Sequence, residues 1–246
     1  MGDDAPQPLK EVHVDYRDRH VVVTGGTGAL GGAIVAALVA AGAVCHVPYV
    51  VAAEAEHFSL RDHAKVKLLA GIDLTDEAAV ARLYDAVPNL WASIHLAGGF
   101  AMSPVSATKK ADLMKQVDLN LVTAFLSCRA AVNAMTRTGA GGRIVNVAAR
   151  PALEWRTGAG MAAYAASKAA VAALTVALAE EVVKSGILVN AVAPSIMDTP
   201  ANRAAMPQAD FSAWPKVEEV AATILFLASP DNKVSRGGVV PVYGRS

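Results

Sequence analysis

The stretch HVVVTGGTGALGGAIVAALVAAG (residues 20–42) decides how the rest of the chain is read. Its first five residues are a β-branched run, its middle holds glycines at 25, 26, 28 and 31, and its apolar residues then recur at helical spacing until Gly42. A run of this kind is a strand, a tight glycine turn and a helix that stops on a C-terminal glycine. In an alternating α/β chain, such a turn brings backbone N–H groups of a helix N-terminus to the pyrophosphate of a dinucleotide. Taken alone it could equally be a plain connector.

Working outward, the alternation persists. Further strands are expected at AVCHV (43–47), KVKLLAGI (65–72), WASIHLAGG (91–99), RIVNV (143–147), ILVNAVAP (187–194) and GVVPVY (238–243). Between them fall a short helix after the Asp73–Asp76 start signal, long helices over about 109–136 and 160–184, and a helix over 217–228. Parallel strands need crossovers, and crossover helices cover both faces of a sheet. The expected fold is therefore α/β, a single-domain doubly wound sheet of seven parallel strands. Residues 1–18 read as a polar N-terminal extension and 19–246 as the domain. The segment 195–215, rich in Pro, Ala and Met, interrupts the rhythm and reads as a lid over a pocket.

Composition narrows the function. Lys plus Arg and Asp plus Glu number 22 each among 246 residues, so the net field offers no reason to expect nucleic acid or an anionic membrane as partner. A small-molecule substrate is the expectation. The two cysteines, Cys45 and Cys128, lack CxxC spacing and suit reduced thiols in a cytoplasmic protein. The N-terminus has no apolar signal region, no uninterrupted apolar run reaches membrane-spanning length, and no metal-ligand framework is visible.

The chemistry points to MAAYAASKAAV (161–171). On a helix Tyr164 and Lys168 share one face, and a nearby ammonium favours ionisation of a phenol whose ordinary pKa of ~10 makes it a poor base. Asn120 sits mid-helix in KQVDLNLVTAF, where it serves either a site or a local hydrogen bond. Asp73 and LAGG (96–99) fall at carboxyl ends of strands, where open α/β sheets bind ligands, although an N-cap also explains Asp73.

Taken in order, TGGTGALG, Asp73, LAGG, Asn120, Tyr164-x-x-x-Lys168 and NAVAPSIMDTP resemble the short-chain dehydrogenase/reductase family over about residues 18–244. The resemblance implies a Rossmann fold binding NAD or NADP and hydride transfer to or from a small conjugated imine or carbonyl substrate. It implies a proton donor in Tyr164, a phenol tuner and ribose binder in Lys168, and a support in Asn120. For the cofactor it implies Gly25, Thr27, Gly28, Ala29, Leu30 and Gly31 from the turn. Asp73, Leu74, Ala97, Gly98 and Gly99 join them from strand ends, as do Pro194, Ser195 and Thr199, and Tyr164 and Lys168 also contact the cofactor. It also implies a homodimer or homotetramer through the two long helices.

Two departures stand out. NVAAR (146–150) puts Ala148 and Ala149 where the family carries serines, so the hydroxyl expected on a substrate carbonyl is missing. Ala29 replaces a usual glycine, and GGTGALG, Gly98-Gly99, DLM (112–114), AL (152–153) and MDTPANRAAMPQADFSAW (197–214) are similar to the dihydropteridine reductase branch, which reduces a quinonoid dihydropterin. The missing hydroxyl also allows a catalytically weak dinucleotide-binding or sensing protein. Pro48, taken as the end of the second strand, supplies neither an acid for NAD nor a base for NADP; no Lys or Arg occurs from 21 to 60, and Glu54 looks like a helix residue. Arg150 and Trp155 are expected beside the pocket, with Met197, Met206, Phe211 and Trp214 as an apolar lid.

Overall fold

The structure is a computed structural model that describes residues 14–246. Alternation gives β1 (His20–Thr24), α1 (Ala29–Ala40), β2 (Val44–Tyr49), α2 (Ala52–Glu56), β3 (Val66–Ala70), α3 (Glu77–Asp85) and β4 (Leu90–His95). The second half continues with α4 (Lys110–Val117), α5 (Thr123–Thr138), β5 (Gly142–Val147), α6 (Ala162–Val182), β6 (Ile187–Pro194), α7 (Pro200–Ala205), α8 (Val217–Ala228) and β7 (Val239–Val242). The seven strands form one parallel sheet in the order β3-β2-β1-β4-β5-β6-β7. The order reverses between β1 and β4, which opens a crevice at their carboxyl ends.

Each strand feeds two cores because its side chains alternate. Val21 and Val23 pack with Ile34 and Leu38 of α1 and Ile224 and Leu227 of α8. Val22 faces the other way, with Leu83 of α3, Leu126 and Met135 of α5, and Ile187 of β6. Helices thus cover both faces, as the sequence pattern requires. β6 is buried along its whole length, which explains its unbroken apolar reading.

Several local features differ from the sequence reading. The expected helix over 109–136 is α4 and α5 joined through a π-helical turn at Asp118–Val122, where the ladder slips by one residue. β2 runs on to Tyr49, and Pro48 lies past the last pair with β1, where its missing N–H is tolerated. Asp76, whose carboxylate accepts from the N–H groups of Ala78 and Ala79, caps α3; Asp73 does not. Segment 195–215 is partly ordered as α7 and a 3-10 turn at Phe211–Ala213.

Of the extension expected at 1–18, residues 1–13 lie outside the described part. Tyr16 is fully buried in the first core, and its hydroxyl donates to the Leu225 carbonyl of α8 at 2.6 Å. The helical stretch Ala162–Ser185 is long and apolar enough to cross a membrane by length and composition. Its Ser167, Val171, Thr175, Ala179 and Val182 are instead buried within the fold. Cys45 and Cys128 are free and buried.

Tyr16→Phe should cost about 1 kcal/mol, the usual net worth of one hydrogen bond, and Tyr16→Ala about 3–5 kcal/mol. Urea unfolding of both variants checks this: equal midpoints for the wild type and Tyr16→Ala would detach residue 16 from the core.

Candidate active site

The crevice is built first by backbone. Gly25 holds a left-handed φ of +66°, and a Cβ there would lie 2.7 Å from the backbone N of Ala97, so only glycine lets the turn approach the end of β4. Thr24 ties the same two ends together: its carbonyl accepts from Leu96 N–H and its Oγ1 from Ala97 N–H. The N-terminus of α1 has no side-chain cap and no acidic residue in its first turn. Uncapped N–H groups with a positive dipole end are suited to a phosphate, and this fits the dinucleotide that the turn implies.

The side chains come from three elements. Asn120, 1% exposed, sits on the π-helical turn, which aims it at Gly99: its Nδ2 donates to Gly99 O and its Oδ1 accepts from Gly99 N–H, both at 3.0 Å. The same Nδ2 donates to Ser167 Oγ at 3.1 Å, and that hydroxyl donates to the carbonyl of Tyr164. Lys168 is buried and donates to the carbonyl of Val147, at the end of β5, at 2.8 Å. Gly98 is hemmed in between them: a Cβ there would lie 2.6 Å from Asn120 Oδ1 and 3.4 Å from Lys168 Nζ. Tyr164 is partly buried, and its ring meets that of Phe100 in a T-shaped contact at 5.0 Å.

Burial pushes the Tyr164 phenol up to about 12, against the lowering expected from a nearby ammonium. Burial likewise brings Lys168 down to about 8. Removing water disfavours either charged form.

A cleft of about 340 Å³ gathers most of the candidates. From the turn it takes Gly25, Gly28, Ala29, Leu30 and Gly31; from β4 and the π-helical turn Gly98, Gly99 and Asn120; from α6 Tyr164 and Lys168. Pro194, Ser195, Met197 and Thr199 close it from the β6 side. Four candidates stand apart. Thr27 donates to Glu54 Oε2 at 3.0 Å, Ala97 is held to Thr24, and Leu74 packs toward the second core. Asp73 is exposed, and its carboxylate accepts from the N–H and hydroxyl of Thr75, which hold it below the usual carboxylate range.

Arg150 does not line the cleft, because its guanidinium pairs with Glu154 at 2.7 Å and lies over the ring of Tyr243. Trp155 is 78% exposed, its Nε1 donating to the Ala152 carbonyl. Of the expected lid residues only Met197 reaches the cleft; Phe211 and Trp214 pack on each other and line a separate hollow with Lys216 and Arg245. Sequence reasoning missed Phe100, Ser167, Asn202 and the Val147 carbonyl. Only Ser167 carried a signal, one residue before Lys168 on the helix.

Comparison with known proteins follows the same lines. Residues 19–210 match the family model described as short chain dehydrogenase. A galactitol 2-dehydrogenase of Rhizobium johnstonii is 34% identical over 238 residues, covering 90% of this chain and 92% of that protein. A cis-4-hydroxycyclohexanecarboxylate dehydrogenase of Sinomonas cyclohexanicum is 32% identical over 243 residues, with coverage of 93% and 96%. The solved structure of a short-chain type dehydrogenase/reductase from Mycobacterium ulcerans superposes with a TM-score of 0.82 at 28% identity, over 94% of this chain and 90% of that one.

The buried amine makes a pH-dependent prediction. A lysine lowered from 10.5 to about 8 keeps its burial cost below pH 8; between the two values the folded state sheds a proton that the unfolded state retains, so stability rises with pH. Relative to Lys168→Met, the wild type should gain about 3 kcal/mol between pH 7.5 and 10.5. Parallel denaturation curves across that range would show no convergence if Lys168 were solvated.

Proposed function

The chain belongs to the short-chain dehydrogenase family, and from that membership we propose that this cleft reduces a small carbonyl compound, with Tyr164 as the proton donor. The protein is an NAD(P)-dependent oxidoreductase. The reading is carried by one observation: Tyr164, Lys168 and Asn120 converge with an uncapped glycine turn in a single cleft at the β1/β4 switch point.

When bound, the reduced nicotinamide supplies a hydride for the carbonyl carbon. Tyr164 gives its proton to the carbonyl oxygen, and its raised pKa keeps that proton in place at neutral pH. Lys168, one helical turn along the same face, is the countercharge for the phenolate left behind. Asn120 grips the backbone of Gly99, and the Ser167 hydroxyl links it to the turn of α6 that carries Tyr164, holding the two walls of the cleft at fixed spacing. Gly25, Gly28, Ala29, Leu30 and Gly31 would hold the pyrophosphate, with Gly98, Pro194, Ser195 and Thr199 along the remainder of the dinucleotide. Thr27, Asp73, Leu74 and Ala97 would act from outside the lining.

For the cofactor we favour NAD. Glu54 places a carboxylate against Thr27 in the glycine turn, and residues 21–60 contain no Lys or Arg to receive a 2′-phosphate. A homodimer or homotetramer through α5 and α6 is consistent with the exposure of Phe125 (48%) and Val176 (46%) on those helices.

A second substrate reading, a conjugated imine such as quinonoid dihydropterin, is favoured by Ala148 and Ala149. Both are buried in the cleft wall and offer no hydroxyl to a carbonyl oxygen. A dinucleotide sensor without turnover has less support, since Tyr164, Lys168 and Asn120 are all retained.

A turnover screen of ketones, quinones, imines and quinonoid dihydropterin with NADH and NADPH tests the reading. Tyr164→Phe should lower kcat on any substrate found by about 10²–10⁴-fold while leaving dinucleotide binding by fluorescence in place; a loss of only a few-fold assigns the proton to another group. Glu54→Gln should narrow the preference for NADH over NADPH, measured as the ratio of their kcat/KM values at low ionic strength; an unchanged ratio removes Glu54 from cofactor choice.

A further inference from the structure

Resting on the reading of the cleft as a carbonyl-reducing site, we propose that its substrate carries a neutral, apolar, ring-sized group next to the reacting carbon, seated against Phe100 and Met102. The loop after β4, residues 100–108, reads FAMSPVSAT and contains no charge. It leaves large apolar side chains in water: Phe100 is 63%, Met102 67% and Val105 73% exposed. Isolated exposed apolar residues are ordinary, but Phe100 stands against the Tyr164 ring and Met102 against the start of the helix that carries it.

Two contacts fix where they stand. The Phe100 ring meets the Tyr164 ring at 5.0 Å with an interplanar angle of 84°, and Phe100 lines the cleft. The methyl of Met102 lies 3.3 Å from where a Cβ on Gly160 would be, four residues before Tyr164. The loop therefore runs past the start of α6 and forms an apolar lip beside the Tyr164 ring. Across the cleft Met197 contributes to the lining, its neighbour Ile196 is 44% exposed, and the wall at the end of β5 is Ala148 and Ala149.

The polar inventory completes the case. Among the described residues lining the cleft Lys168 is the one cation, and it is buried and engaged with the Val147 carbonyl. Arg150, which could have received a carboxylate, is held by Glu154 and Tyr243. A substrate with an anionic group near the reacting carbon would lose water without gaining a partner. An aryl or alicyclic group would cover the exposed parts of Phe100 and Met102, and an aromatic one would add a ring contact with Phe100.

The test uses the full chain with the dinucleotide it binds and four probes: acetone, acetophenone, pyruvate and benzoylformate. The expected result is a kcat/KM for acetophenone at least about 100-fold above acetone, with each carboxylate probe below its neutral counterpart. Phe100→Ala should reduce the acetophenone-to-acetone ratio about tenfold, and Met102→Gln should reduce it in the same direction. A best rate with pyruvate, or a ratio that neither variant moves, overturns the inference while a Tyr164→Phe loss leaves the reductase reading standing. Should no probe turn over, saturation-transfer NMR of acetophenone on the protein–dinucleotide complex decides: ring signals that Phe100→Ala abolishes support the inference, and absent signals overturn it. A change confined to the sedimentation of Phe100→Ala would overturn it too, assigning the lip to a contact between copies of the chain.

Discussion

A protonated amine enclosed by protein, with the Val147 carbonyl as its hydrogen-bond partner, is the constraint around which the cleft is arranged. Burying a lysine is costly, so the contact must be held from both sides. α6 comes close enough because its sequence, AAYAASKAAVAALTVALAEEV, is dominated by alanine near the lysine. β5 presents the carbonyl where its last residue leaves the sheet. Gly98 admits the amine and the Asn120 carboxamide to the same small space, where no side chain would fit. Lengthening any one of these would displace the others.

Beneath that contact lies a second buried polar layer. Tyr84, Ser93, His95, Asn146 and Thr175 form a hydrogen-bonded chain from α3 through β4 and β5 to α6. Burial pushes His95 down to about 4, so its imidazole is neutral: with Nδ1–H donating to Asn146 Oδ1, Nε2 accepts from the Ser93 hydroxyl. The Thr175 hydroxyl in turn donates a hydrogen bond to the Val171 carbonyl. A buried hydrogen-bonded network of this kind helps fix the strand ends on which Gly98 and Val147 depend. Cys128 lies against it with its thiol raised to about 12, which makes it a packing residue.

How much of this was legible in the sequence depended on whether the signal was local. The switch from β-branched alternation to helical spacing at 20–42 gave the first strand, turn and helix, and the helix at 217–228 has the bounds the pattern assigned. Tyr164 and Lys168 were visible because a helix makes spacing equivalent to direction. The π-helical turn under Asn120 was not, since one slipped residue leaves no mark on the apolar period. Asp73 and Asp76 offered two start signals within one turn, and only the cap geometry separates them. Glu54 was seen as a helix residue, correctly, but its reach to Thr27 joins positions 27 apart. Tyr16 lay in a polar stretch whose one large ring turned out to be core. Phe211 and Trp214 had the composition of a lid, yet composition does not say which side of the sheet edge an aromatic will cover.

The electrostatics change what the lysine is for. If its task were to ionise the resting phenol, Tyr164 would sit below its ordinary value; burial instead holds it near 12 and Lys168 near 8. At neutral pH both keep their protons, which is the state a proton donor needs and a base does not. The ammonium matters at the next moment in the proposed reaction: a phenolate left alone in the same enclosure would bear the full cost of burial, whereas one created beside a cation does not. Ala149 sharpens the consequence, because without a hydroxyl at that wall less of the developing charge on the substrate is met by a fixed donor, and more of the proton's transfer must come from Tyr164.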